Sequence, residues 1–299
     1  VNRELKIAAV NVGAESNVAR PSATRRMLRQ VFRTRVTVIG TVIVIVLIVF
    51  TLIVDFLPLD DPYTMGTILR APPGTPGHLL GTDSFGRDML SRVAYGSRVS
   101  LVIALAVVGI GGFLGTILGL LVGYFGGWLD SLVSRLFDVI FSFPGLLFFL
   151  VIMSTLGAGI ETAIIALTIG YIPLFGRLMR ERVMAQSTRA YVEAARMMGA
   201  KDWHIMWQHI VPNSLTPVLV QAALAIPGVI LAEAGLSYLG LGVPPPIPSW
   251  GKMISEGQDL LEIAPWISLV PGFMILLATL GFNLVGDGLR DFFDPTQLK

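Results

Sequence analysis

Cysteine is absent from the 299 residues, which excludes disulfides, thiolate metal sites and cysteine nucleophiles together. Charge is scarce as well, with 14% of residues Asp, Glu, Lys or Arg against about 25% in a soluble domain. Apolar residues fill the gap at 54%, and the mean hydropathy of +0.73 is that of a chain that crosses a membrane repeatedly. Histidine occurs only at positions 78, 204 and 209. His204 and His209 are five apart, which on an α-helix turns them about 140° from each other, so no shared metal and no metal site is expected. Catalytic signatures are also missing: there is no G-x-S-x-G and no H-E-x-x-H. The Gly251-Lys252 pair is followed by Met253, and Pro246 stands where a phosphate-binding loop needs its first glycine. No catalytic residue is assigned, and no cofactor is expected on this chain.

What the sequence does contain is six apolar runs, at 36–57, 99–125, 136–156, 160–180, 214–238 and 264–286. Each is close to the roughly 20 residues that cross a bilayer as a helix, so the expected fold class is all-α, a polytopic membrane protein of six transmembrane helices. The first run starts too late and runs too long for a secretory signal core, and is read as a retained span. Basic loops stay on the cytoplasmic side. With the N-terminus inside, all 22 Lys and Arg except Arg70, Arg87, Arg92, Arg98 and Lys252 fall inside, which places both termini and residues 177–212 in the cytoplasm. Residues 1–35 form a basic cytoplasmic arm whose Arg25, Arg26, Arg29, Arg33 and Arg35 suit anionic headgroups. Residues 58–98 are extracytoplasmic, and 287–299 are a cytoplasmic tail.

The second span carries Gly111, Gly115, Gly119, Gly123 and Gly127, each four apart. That spacing lines them up along one side of a helix and lets another backbone approach, either as a seam that slides or as static packing. Charges at membrane depth are few. Asp138 stands three residues after Arg135 and reads as its ion-pair partner in preference to a proton relay. Glu233, late in the fifth span, is placed near the external interface, and Asp55 lies near the end of the first.

One charged stretch interrupts the apolar pattern, "EAARMMGAKDWHIMWQHIVPN" at 193–213. Residues 189–198 are helix formers, Gly199 supplies a left-handed stop, and Asp202 can cap or charge the start of a second short helix. Trp203, Met206, Trp207 and Ile210 then recur at three and four, giving one apolar face. Pro212 opens the next span where its missing N–H does no harm. Such a pair either lies on headgroups with its tryptophans at the interface or fits a groove on a cytoplasmic partner. Tethering by spans at both ends argues against a DNA-binding helix-turn-helix, and no nucleic-acid partner is expected.

Glu193-Ala194-Ala195, Gly199 and Pro212 resemble the EAA loop of ABC-importer permeases, with His209 and Val211 where that pattern has Ile and Leu. The form His209-Ile210-Val211-Pro212-Asn213 is similar to that of the peptide/nickel branch. "HLLGTDSFGRDMLSRVAYGSRVSL" (78–101), "FDVIFSFPGLL" (137–147), "LSYLGLGVPPPIPSWG" (236–251) and "GDGLRDFFDP" (286–295) resemble its C-type subunit. The resemblance covers roughly residues 25–295. It implies a type I ABC-importer permease fold, with the permease domain at 99–286 and a coupling-helix loop at about 185–212. It implies a sister permease, two ATP-binding subunits that hold ATP and Mg, an extracytoplasmic substrate-binding protein and surrounding lipid. It also implies that Glu193, Ala194, Ala195, Gly199, Trp203, Trp207 and Pro212 couple to the ATP-binding subunits. By resemblance alone the substrate is a dipeptide or oligopeptide; nickel or another small solute is the alternative, and a proton-coupled secondary transporter using Asp138 or Glu233 is the rival class.

Overall fold

The computed structural model describes residues 35–293, and among them every regular element is a helix apart from two isolated β-bridges, Thr75 with His78 and Thr82 with Asp88. The basic arm expected at 1–35 lies outside the described residues except for Arg35, as does the tail beyond Phe293. In chain order the helices are α1 (Arg35–Ile53), α2 (Met89–Phe125), α3 (Gly127–Ser142), α4 (Gly145–Leu156), α5 (Ile160–Ser187), α6 (Ala190–Met197), α7 (Asp202–Ile205), α8 (Val211–Tyr238), α9 (Trp250–Gly257) and α10 (Trp266–Phe293). Five helices are long and apolar enough to span a bilayer, or six if the bent pair α3–α4 counts as one.

Besides α5 and α10 running on to Ser187 and Phe293 rather than 180 and 286, the spans differ from the sequence expectation in three ways. The second helix begins at Met89 rather than near residue 99, because the Asp88 carboxylate accepts the Ser91 N–H at 2.8 Å and caps it. Its polar first turns avoid lipid by burying Arg92 against Asp83 and Glu256, with the Arg92 Nη2–Glu256 distance 2.8 Å. The third span is not straight: α3 and α4 bend by 94° at Phe143-Pro144, where a residue preceding proline is driven out of the α region and Phe143 is extended at φ −88°, ψ 140°. The fifth span starts at Asp202 rather than 214, since α7 runs through a five-residue π turn into α8 as one span, Asp202–Tyr238.

The bundle core is built where glycines let helices touch. A Cβ on Gly115 would lie 2.5 Å from the Ile172 carbonyl oxygen and one on Gly123 2.9 Å from that of Arg180, while one on Gly119 would collide with the Gly176 oxygen. The ladder at Gly111, Gly115, Gly119 and Gly123 therefore seats α2 on α5. Gly127 is not part of it: the helix stops at Phe125, Gly126 and Gly127 have φ of 63° and 64°, and Gly127 opens α3. Helix α3 then returns across α5, with the Phe137 ring filling the space above Gly176 and Arg180 Nη2 donating to Asp130 at 2.6 Å. Pro173 is accommodated inside α5, buried against its neighbours. At the other flank α1 packs on α10, Gly40 against Leu284 and Gly288 against Thr37.

Candidate functional site

The charged insert forms the end of the bundle opposite residues 58–88, and its first half is a short helix with a defined stop. In α6, Val192 and Ala195 are buried in the core at 0% and 3% exposure, whereas Glu193, Ala194, Met197 and Met198 face outward. The helix ends in two crossed hydrogen bonds, Ala200 N–H to Ala195 O at 3.1 Å and Gly199 N–H to Arg196 O at 2.9 Å. This double closure is the Schellman motif and needs a left-handed residue between its partners. Gly199 supplies it at φ +79°, and nothing within 4 Å would meet a Cβ there, so the glycine is required for its backbone and not for space. The E-A-A-x-x-x-G pattern thus divides into an outward pair, Glu193 and Ala194, an inward anchor, Ala195, and a stop, Gly199.

The second half departs from the expectation in its apolar face and its histidines. Of the two roles open to Asp202, it charges the first turn of α7 and leaves the N-cap to Lys201, and its carboxylate accepts the Tyr124 hydroxyl at 2.6 Å. Arg196 lies over the same Tyr124 ring, 5.4 Å from its centroid, so the end of α2 holds both halves of the insert. The single apolar face is split: Ile205, Met206 and Ile210 are buried, while Trp203 and Trp207 stand 67% and 46% exposed with their rings 5.3 Å apart. The histidines do not diverge. The π turn Met206–Ile210 closes with Val211 N–H on Met206 O, an i→i+5 winding that returns His204 and His209 to one side with ring centroids 5.9 Å apart. Pro212 explains the winding, since it has no N–H to donate back to the preceding turn. Asn213 Nδ2 donates instead to the His209 carbonyl at 2.7 Å.

Charges expected at membrane depth fall differently as well. Asp138 pairs with Arg177 on α5 at 2.6 Å rather than with Arg135, because α3 folds back across α5 after the sharp turn at Gly126-Gly127. Arg177 also covers the Phe141 ring, 4.5 Å from its centroid. Glu233, expected near an interface, is 1% exposed and lies inside the bundle. Its carboxylate accepts Ser100 at 3.2 Å and Ser237 at 2.7 Å, and Ser100 accepts the Trp250 N–H at 3.3 Å. That node ties α2, α8 and α9 together. Asp55 pairs with Arg98 at 2.9 Å.

Sequence reading missed one further grouping, in which Asp60, His78 and Asp88 bring ligand-type atoms within 4.8 Å of one another. No local spacing signals it, since the loop itself folds to assemble it. His78 Nδ1 lies 3.0 Å from Asp88 Oδ1 while the other Asp88 oxygen caps α2, an arrangement that braces the loop on the helix.

A buried glycine seam, a bent span and an exposed tryptophan pair at the head of a continuous helix describe a multi-span membrane bundle. Comparison with known proteins agrees. Residues 115–299 match the family described as binding-protein-dependent transport system inner membrane component. This chain belongs to that family. It is 39% identical over 274 residues to the dipeptide transport system permease protein DppC of Alkalihalophilus pseudofirmus, covering 92% of this chain and 90% of that one. It is 38% identical to the glutathione transport system permease protein GsiD of Pectobacterium atrosepticum, over 98% and 97% of the two chains. To the di/tripeptide transport system permease protein DppC of Pseudomonas aeruginosa the identity is 41%, over 86% and 87%. The fold is similar to that of an inward-facing MetNI methionine ABC transporter, with a TM-score of 0.53 at 20% identity, over 69% of this chain and 98% of the other. The permease is therefore an all-α, multi-pass inner-membrane component with the fold of an ABC-importer permease.

Proposed function

We propose that the permease forms half of the translocation path of an ATP-driven importer of dipeptides or oligopeptides and receives its driving force through residues 190–212. The observation that carries this reading is the exposed Trp203–Trp207 pair, set on a helix that runs unbroken into the membrane span α8. Burying two such rings against an apolar groove is strongly favourable, and the helix behind them conveys any displacement directly to the bundle. Glu193 and Ala194 line the outward side of α6 for the same partner, Ala195 and Gly199 hold that helix in place, and Pro212 shapes the π turn.

In this reading ATP and Mg bind to two partner subunits, and their closure moves the insert as one body with α8. A sister permease supplies the other half of the path, and an extracytoplasmic protein delivers substrate. Both termini and the insert face the cytoplasm, as the Lys and Arg bias supports. Peptide is the substrate class favoured by the names of the relatives. A proton-coupled mechanism has less support: Asp138 is engaged by Arg177, and Glu233 is sealed among serines.

A photo-crosslinking amino acid at position 203 tests the docking role in the assembled complex. Adducts to an ATP-binding subunit are expected; adducts to lipid alone would assign the tryptophans to headgroups and overturn it.

A further inference from the structure

Between the insert-side ends of α5, α8 and α10 lies a cavity of about 540 Å³ whose mouth carries two arginines, Arg182 and Arg290. Among the described residues neither guanidinium has an ion pair or hydrogen bond, and the same holds for the Gln221 amide and the Thr216 hydroxyl beside them. Glu181, Asp287 and Asp291 are close in sequence, yet none pairs with either arginine. Deeper in, the wall is apolar, formed by Leu178, Val220 and Leu224. From Thr216 to Leu224 the wall runs about 12 Å along α8, at 1.5 Å per residue. At that end Leu224 packs onto the Gly286 backbone, and Tyr171 Oη lies over Gly228.

A cavity with unpaired cations at one end and hydrocarbon at the other fits a molecule of the same polarity. We infer that it holds an anionic phospholipid, with the phosphate held between Arg182 and Arg290 and an acyl chain against Leu178, Val220 and Leu224. Guanidinium forks match phosphate oxygens in geometry and charge, and basic pockets between spans on the cytoplasmic side bind anionic headgroups as a class. The depth agrees: Arg290 lies in the last turn of α10 and Arg182 five residues before the end of α5, near headgroup level under the orientation proposed above. Part of the wall belongs to α8, the helix that continues from the tryptophan pair, so a lipid seated there touches the element that docking would move.

The test uses the assembled complex in vesicles of phosphatidylcholine containing photoactivatable phosphatidylglycerol or, in parallel, photoactivatable phosphatidylcholine. Phosphatidylglycerol is expected to label residues 178–182, 216–224 and 290–293 in the unaltered protein, and phosphatidylcholine is not. Arg182→Gln with Arg290→Gln should weaken phosphatidylglycerol retention about thirty-fold, the loss of two near-surface cations, while Arg182→Lys with Arg290→Lys should retain most of it. Equal labelling by both lipids, or no labelling of these segments, overturns the inference. So does unchanged retention in the double glutamine variant, or protection of the segments by peptide substrate, which would make the cavity part of the path. Labelling requires neither uptake nor ATP hydrolysis, so the result stands whatever solute the importer carries.

Discussion

At the scale of single residues, Gly199 and Glu233 illustrate two different reasons for a side chain, or its absence, to matter. Gly199 sits in open space with φ +79°, so substitution there costs conformational energy only. Alanine should cost about 1–2 kcal/mol in that left-handed position. Asparagine tolerates the region better, and proline both forbids it and removes the N–H that closes on Arg196 O. Uptake by reconstituted variants is accordingly expected to rank Gly above Asn above Ala above Pro; equal activity of Ala and Pro would show that the turn does not set coupling. Glu233 is instead a hub of buried hydrogen bonds. Glu233→Leu leaves the Ser100 and Ser237 hydroxyls without their acceptor, at about 1–3 kcal/mol per stranded group. Thermal unfolding of the purified complex should register a clear fall for Leu and a smaller one for Gln.

At the scale of elements, the seam between α2 and α5 depends on backbone contact. Gly119→Ala would press a methyl into the Gly176 carbonyl, whereas Gly109 on the same helix faces open space. Overpacking of this kind costs about 1–3 kcal/mol, so Gly119→Ala should lower the unfolding temperature and Gly109→Ala should leave it unchanged or slightly higher. A fall of the same size for both would mean that the ladder has no special closeness. These elements were legible in the sequence to different degrees. Glycines at every fourth position announce a close seam because an α-helix repeats them on one side, but nothing in that pattern says that Gly127 lies beyond the helix end. Residues 136–156 read as one span by apolar count alone, while the bend depends on Pro144 acting on Phe143, a local constraint that hydropathy averaging conceals. The tryptophans point away from the bundle as either reading of the insert requires, but the converging histidines and the burial of Met206 and Ile210 apart from those rings were hidden: Pro212 locally replaces the α winding with a π turn, and angles reckoned at 100° per residue fail across it. The residues of the insert were recognisable; their directions were not, because these depend on how α7 docks against Tyr124 and the core.

At the scale of the whole molecule, the permease is a bundle whose two ends have different tasks. One end is fastened, with Asp83, Arg87, Arg92 and Glu256 locking the loop of residues 58–88 to α9 and Trp250 fully buried beneath it. The other end presents exposed aromatic rings on a helix that passes straight into the bundle, the form suited to receiving a push. Because the chain has no cysteine, paired cysteines can be introduced without background: one at position 203 and one on the facing groove of the ATP-binding subunit should join under mild oxidation and stop uptake reversibly. Failure to join from any groove position would place the tryptophans elsewhere. The central claim, that force enters through the insert, is tested most directly by ATP-driven peptide uptake into proteoliposomes of the complete complex with residues 193–199 replaced by a flexible linker of equal length. Loss of uptake together with loss of peptide-stimulated ATP hydrolysis, with the altered permease still in the membrane beside its sister subunit, is the predicted result. Uptake at the unaltered rate would contradict the account.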